Sequence, residues 1–199
     1  MESLTSLTVC DDSTFLWIRD WRPQRFFTAE ALEGALRDQL RRMIGRKLDE
    51  VWVVWDLDAN EWFCDAPVLL VVDGQQIEVS VHNLDELHVS FDAIDRSAPF
   101  GWVDEPRLNF HLEWRCNPSL VPRSILGQTV TGFGAGEYAF ELADFVGTLP
   151  WVLVSLEVEL EGGAHLAIEN GLDENALRFH PPEERSDFRI RPFDLNSGA

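Results

Sequence analysis

The first periodicity along the chain is helical. Leu32, Leu36, Leu40, Met43 and Ile44 recur three or four apart, Thr28 stands where a cap would, and Gly45 lies just past the last apolar position. The spacing predicts one amphipathic helix over 28–45, with Glu33/Arg37 and Asp38/Arg42 paired four apart on its outer face. Beyond it the apolar period shortens to two. Val68, Leu70 and Val72 lead into Asp73-Gly74 and out through Ile77, Val79 and Val81, which predicts a two-residue hairpin with Leu70 opposite Ile77 and Val68 opposite Val79. Shorter strands are expected at Val51 to Trp55 and Trp62 to Phe63, and another from Leu108 to Trp114 between the turns Ser97-Ala98-Pro99 and Asn117-Pro118.

The pattern then repeats. Val154, Leu156, Val158 and Leu160 alternate with Ser155, Glu157 and Glu159, and a turn at Gly162-Gly163 leads back through Leu166-Ala167-Ile168. Each hairpin is preceded by an apolar residue and glycine (Ile44-Gly45, Leu126-Gly127). Each runs into a similar phrase, Asn83-Leu84-Asp85-Glu86 in the first and Asn170-Gly171-Leu172-Asp173-Glu174 in the second. The expected fold is therefore α+β and β-rich: two tandem pseudo-repeats of antiparallel hairpins, about 28–95 and 108–180, forming one sandwich-like domain over 1–199, with the tail 191–199 frayed. At 199 residues and 45% hydrophobic the chain is long enough to bury a substantial core.

Charge sharpens this picture. Residues 48–95 hold twelve Asp or Glu and residues 124–177 hold nine, and neither stretch contains a Lys or Arg, so the formal charge of −19 resides in the repeats. Such a surface repels nucleic acid and anionic membrane and favours basic proteins. Eight Trp and thirteen Phe set the chain apart from disordered acidic tails. The N-terminus has no cationic start and apolar run, and no apolar stretch reaches the ~20 residues of a membrane span, so a cytoplasmic location is expected. Cys10, Cys64 and Cys116 show no paired spacing and read as buried reduced thiols.

Candidate chemistry is sparse. His82-Asn83-Leu84-Asp85-Glu86-Leu87-His88 has the residue types of a metal or acid/base site, but its central phrase recurs without either histidine, as a structural turn does. Asp56-Leu57-Asp58-Ala59-Asn60-Glu61 begins like a calcium loop and then fails, with Glu61 where glycine is needed and Pro67 where a bidentate Glu belongs. Gly132-Phe133-Gly134-Ala135-Gly136 lacks the cation and helix cap of a phosphate loop and reads as a flexible hairpin turn. His111 and His165 fall on the polar side of strands, solvent-facing or hydrogen-bonded. The tryptophans read as core fillers, with Trp55 and Trp62 the ones expected at the surface.

No cofactor or metal is expected, and no catalytic residue. The composition points to a non-enzymatic acidic binding protein that neutralises a basic partner, as an immunity protein or inhibitor of a nucleic-acid-directed toxin does. The candidate contacts are Trp55, Asp56, Asp58, Glu61, Trp62, Asp65, Asp85, Glu86, Asp92, Asp95, Asp173 and Glu174. The alternative is a small-molecule-binding or enzymatic domain with its pocket between the repeats, and a strand edge offers a route to a homodimer.

Overall fold

The computed structural model describes residues 14–15, 18–19, 21–83, 85–98, 100, 111–139, 151–172 and 174–195. β1 (Thr14–Phe15) and β2 (Ile18–Arg19) form a small ribbon, followed by β3 (Gln24–Phe26) and α1 (Ala29–Met43), the single α-helix among the described residues. β4 (Leu48–Asp56), β5 (Glu61–Trp62), β6 (Val68–Val72), β7 (Gln75–His82), β8 (Glu86–Phe91) and β9 (Leu112–Cys116) complete the first sheet. β10 (Val130–Ala139), β11 (Trp151–Leu160), β12 (His165–Asn170), β13 (Asn175–Arg178) and β14 (Phe188–Pro192) make the second.

All pairings are antiparallel, and the two sheets share one strand order. The first runs β8-β7-β6-β4 with β9 on the far edge of β4; the second runs β13-β12-β11-β10 with β14 on the far edge of β10. Each copy is thus a four-stranded meander closed by a fifth strand. β4 and β10 even carry their first register shift at the same place, after Leu48 and after Val130. The strand expected between the copies belongs by pairing to the first sheet; its residues 108–110 lie outside the described residues.

β12 packs over β7 and β11 over β8, while α1 lies against β10 and β3. The space between is filled by Leu32, Leu36, Leu40, Val51, Val68, Leu70, Ile77, Val79, Phe133, Leu156, Val158 and Ile168, all essentially inaccessible to solvent. The hairpin register is the expected one, Leu70 opposite Ile77 and Val68 opposite Val79, because a slip of one residue would turn every apolar side chain outward.

In α1 the Thr28 side chain accepts from the Ala31 N–H, and Gly45 takes φ +78° beyond the end, as the caps foretold. Glu33 pairs with Arg37 at 3.1 Å, yet it is buried rather than on the outer face, because it also accepts from the Asp194 N–H. Asp38 pairs with Arg41, one residue short of the expected Arg42.

Two further expectations are corrected. Gly132 to Gly136 is the middle of strand β10, not a turn; its glycines accommodate Ser155, Glu157, Phe188 and Arg191, which crowd the space a Cβ would need. The segment from Arg191 is packed as far as Leu195: Phe193 donates its N–H to the Phe133 carbonyl, and Phe193 and Leu195 are buried in the core. Among the described residues no helix is long and apolar enough to cross a membrane.

Candidate interaction surface

β4 runs antiparallel to β6, with Leu48 beside Val72 and Trp52 beside Leu69, so Asp56 emerges at the end of the sheet where β6 starts and β7 finishes. Asp58, Glu61 and Asp65 follow on the same end, and the β7–β8 turn brings Asp85 and Glu86 there as well. The second copy meets the first at this end. Asn170 Nδ2 donates to the Asn83 carbonyl, joining the two repeated phrases, and the Cys64 thiol donates to Glu174 at 3.1 Å.

Asn175 fastens this junction. Its side chain, 3% exposed, donates to the carbonyls of Cys64 (2.7 Å) and Ala66 (3.0 Å) and accepts from the Val81 N–H at 2.9 Å, while its own N–H reaches the Cys64 carbonyl. It follows directly after the repeated phrase. The structural counterpart in the first copy is apolar Leu87, so repetition gave no hint of it.

The candidate contacts divide accordingly. Asp58, Glu61, Asp65, Asp85 and Glu174 are exposed at the shared end. Asp58 pairs with His111 at 3.0 Å, and that hydrogen bond and charge raise the imidazole's pKa. Glu86 is half-buried between Arg25 (3.7 Å) and His88 (3.3 Å). Asp56 is buried and is withdrawn as a contact: its Oδ1 accepts the N–H groups of Asp58 and Ala59 and closes the β4–β5 turn. Asp92 and Asp95 lie at the opposite end, beside the Asp73-Gly74 turn. There Asp92 accepts from the Gln76 N–H and Asp95 accepts from Ser97, which lowers the Asp95 pKa. Asp173 is outside the described residues.

Trp55 and Trp62 face each other across β4 and β5, half-buried against the core rather than standing free, and the Arg115 guanidinium lies 4.7 Å from the Trp55 ring centre. Among the described residues Leu57 and Leu172 are the large apolar side chains left exposed near these turns, at 45% and 83%. Cys64 is half-buried and Cys116 exposed, both free; Cys10 lies outside the described residues. Burial, with Glu174 beside it, pushes the Cys64 thiol up to about 12, which keeps it protonated and unreactive.

Four of the acidic residues that give the repeats their charge are not on the surface. Besides Asp56, Glu137 is buried and Glu78 and Glu157 are wholly inaccessible. Glu78 accepts from Ser90 (2.5 Å), Gln76 (2.6 Å) and the backbone of Ala93 and Ile94, while Trp21 donates its indole N–H to Ser90 at 2.7 Å. Glu157 accepts from Ser155 and from Arg178 at 2.9 and 3.1 Å, with His165 Nε2 at 2.5 Å. His165 is thus buried and hydrogen-bonded, not solvent-facing.

The Ser155-Glu157-His165 set has the residue types of a nucleophilic triad but the wrong wiring. A nucleophile must hand its proton to a base that a carboxylate orients, whereas here the carboxylate takes the hydrogen bonds of both serine and histidine and is sealed from solvent. It is a structural ionic network. Among the described residues no group of three or more His, Cys, Asp or Glu is gathered as a metal site.

Comparison adds no relative. No protein-family model matches the chain, and no curated protein or solved structure matches it either.

Proposed function

We propose that this is a non-enzymatic acidic binding protein that neutralises a basic protein partner, in the manner of an immunity protein or an inhibitor of a nucleic-acid-directed toxin. The observation that carries the reading is that exposed Asp58, Glu61, Asp65 and Asp85 of the first copy and Glu174 of the second stand at one end, where Asn170 bonds Asn83 and Cys64 bonds Glu174. Exposed carboxylates from both repeats thereby converge on a rigid base. A fixed field of one sign hastens encounter with a Lys- and Arg-lined cleft and keeps polyanionic substrates out of it. In this reading the protein acts in the cytoplasm, where the free thiols Cys64 and Cys116 stay reduced. A ligand pocket between the repeats has less support, because that space is filled by the core side chains of both sheets.

The test is capture of a partner by the tagged protein from its host's lysate at low salt, followed by elution with a salt step. One stoichiometric basic protein, whose activity is inhibited on mixing, supports the proposal. The charge reversals Asp85→Lys and Glu174→Lys should then weaken capture at least about tenfold at low ionic strength and much less at high. Capture that ignores both salt and these reversals would sink it.

A further inference from the structure

The internal duplication exposes a difference at the sheet edges. In the first sheet β8 is not the edge, because β3 pairs with it through Gln24 opposite Val89, Arg25 opposite His88 and Phe26 opposite Leu87. The counterpart of β8 in the second sheet is β13, and among the described residues no strand pairs with its outer side. Leu177 corresponds to Val89, since each stands opposite the core residue of the preceding strand, Ile168 and Val79.

The backbone at this edge has a readable orientation. In an antiparallel ladder alternate residues turn their N–H and C=O away from the neighbour. Asn175 turns its N–H outward, to the Cys64 carbonyl, so Leu177, two residues on, turns its pair outward as well. Leu177 and Phe179 lie half-buried against the core. Ala176 has Glu169 as its cross-strand partner, and exposed Glu174 precedes it on the same face.

We infer that β13 is a strand-addition site, and that its occupant is an extended segment of the basic partner in which apolar and basic residues alternate. The inference rests on the proposed function for the partner's charge, and on β3 for the geometry. In the first sheet β3 shows what such a segment does: Phe26 is buried, and Arg25 pairs with Glu86. On β13 an apolar residue opposite Leu177 would cover Leu177 and Phe179, and a basic residue opposite Ala176 would meet Glu174, the counterpart of Glu86, since Glu169 is already held by Arg178 at 2.8 Å. Main-chain bonds to Leu177 would supply affinity and the alternating side chains specificity.

The probe is the peptide acetyl-Arg-Val-Arg-Val-Arg-Val-amide, added to the intact protein and followed by residue-resolved hydrogen exchange. Its control is the same peptide N-methylated at alternate residues, which cannot pair as a strand. The expected result is that exchange of the Leu177 amide slows about tenfold or more with the plain peptide and is unchanged by the methylated one. Equal slowing by both, no slowing at saturation, or slowing at 87–89 in place of 177 would overturn the inference. Slowing that rises with protein concentration in the absence of peptide would make a second copy the occupant, and would overturn it too. Hexalysine separates this site from the acidic surface: salt-sensitive hexalysine binding with an unprotected Leu177 defeats the edge and keeps the surface. Leu177 protection that is the same at low and high salt keeps the edge and defeats the electrostatic reading.

Discussion

Lys47 and Thr129 pair across an isolated antiparallel bridge, and the hydrogen bonds on its two sides are copies of each other. Gly45 N–H reaches the Val130 carbonyl as Gly127 N–H reaches the Leu48 carbonyl, and Val130 N–H reaches Arg46 as Leu48 N–H reaches Gln128. The local two-fold thus relates Gly45 to Gly127 and Leu48 to Val130. Before it, the end of α1 has a shortened counterpart in the 3-10 turn Arg123–Ile125, where Leu126 N–H bonds Arg123 as Ile44 N–H bonds Arg41. The geometry is that of an isologous contact, the same groups meeting from both sides, within one chain.

Four glycines should respond to alanine in three ways, measurable as shifts in urea midpoint. Gly127 sits at φ +75°, where a side chain is strained, and Gly127→Ala should cost about 1 kcal/mol, with the symmetric Gly45→Ala costing a similar amount. A Cβ on Gly136 would run into the Ser155 hydroxyl and stand 2.7 Å from Glu157 Oε1 and 2.9 Å from the Phe188 ring, so Gly136→Ala should cost about 1–3 kcal/mol. Gly34 is exposed in α1 with open space around its Cβ position, and Gly34→Ala should stabilise by about 0.5–1 kcal/mol. Equal effects at Gly34 and Gly136 would contradict the packing described for β10.

Glu157 should be among the costliest residues of the second sheet to remove, although the sequence presents it as one of several alternating glutamates. Glu157→Ala leaves His165 and Ser155 buried, and Arg178 half-buried, around a missing carboxylate, with Glu169 still holding Arg178 at 2.8 Å. Breaking a buried ionic network in this way costs about 3–5 kcal/mol. Glu159→Ala, two residues on and exposed, should stay within about 0.5 kcal/mol. Denaturant melts of the two variants check the contrast; similar losses would mean that burial does not distinguish them.

That contrast marks where sequence stops being informative. Alternation in Val152 to Leu160 places Val158 and Leu156 on one face and Glu157 and Glu159 on the other, but says nothing about what lies above the second face. Glu157 is sealed by Arg178 and by Phe188, whose ring lies 5.9 Å from the Arg178 guanidinium, residues some twenty to thirty positions away. Glu78 is likewise enclosed by the cluster of Trp21, Leu69 and Ile94. Local signals served well where the physics is local, as at the Thr28 cap, the Asp73-Gly74 hairpin and the repeated Asn-Leu-Asp-Glu phrase. They misled at Gly132 to Gly136, where glycine is needed for its missing side chain rather than for a turn. The acidic end was legible only in part: the charges could be counted, but Asp56 being spent on its own turn, and Asp92 and Asp95 lying at the far end, follow from pairing.

His88 should make the protein lose stability in mild acid. It is 1% exposed, stands opposite Ser80 and Arg25 on the flanking strands, and has the His82 ring edge-on at 6.2 Å. Burial holds its pKa down to about 4, outweighing the pull of Glu86 toward the charged form. The unfolded chain has an ordinary imidazole near 6.5, so between those values the unfolded state binds more protons than the folded one. The stability contributed by a neutral His88 is therefore complete above about pH 6.5 and drains away as pH falls toward 4, by about 2–3 kcal/mol. His88→Gln cannot titrate. The gap in unfolding free energy between wild type and this variant, measured by urea melts from pH 7 to pH 4.5, should shift steadily against the wild type as acid is added. A gap that stays constant across that range would show that His88 takes up its proton without disturbing the fold.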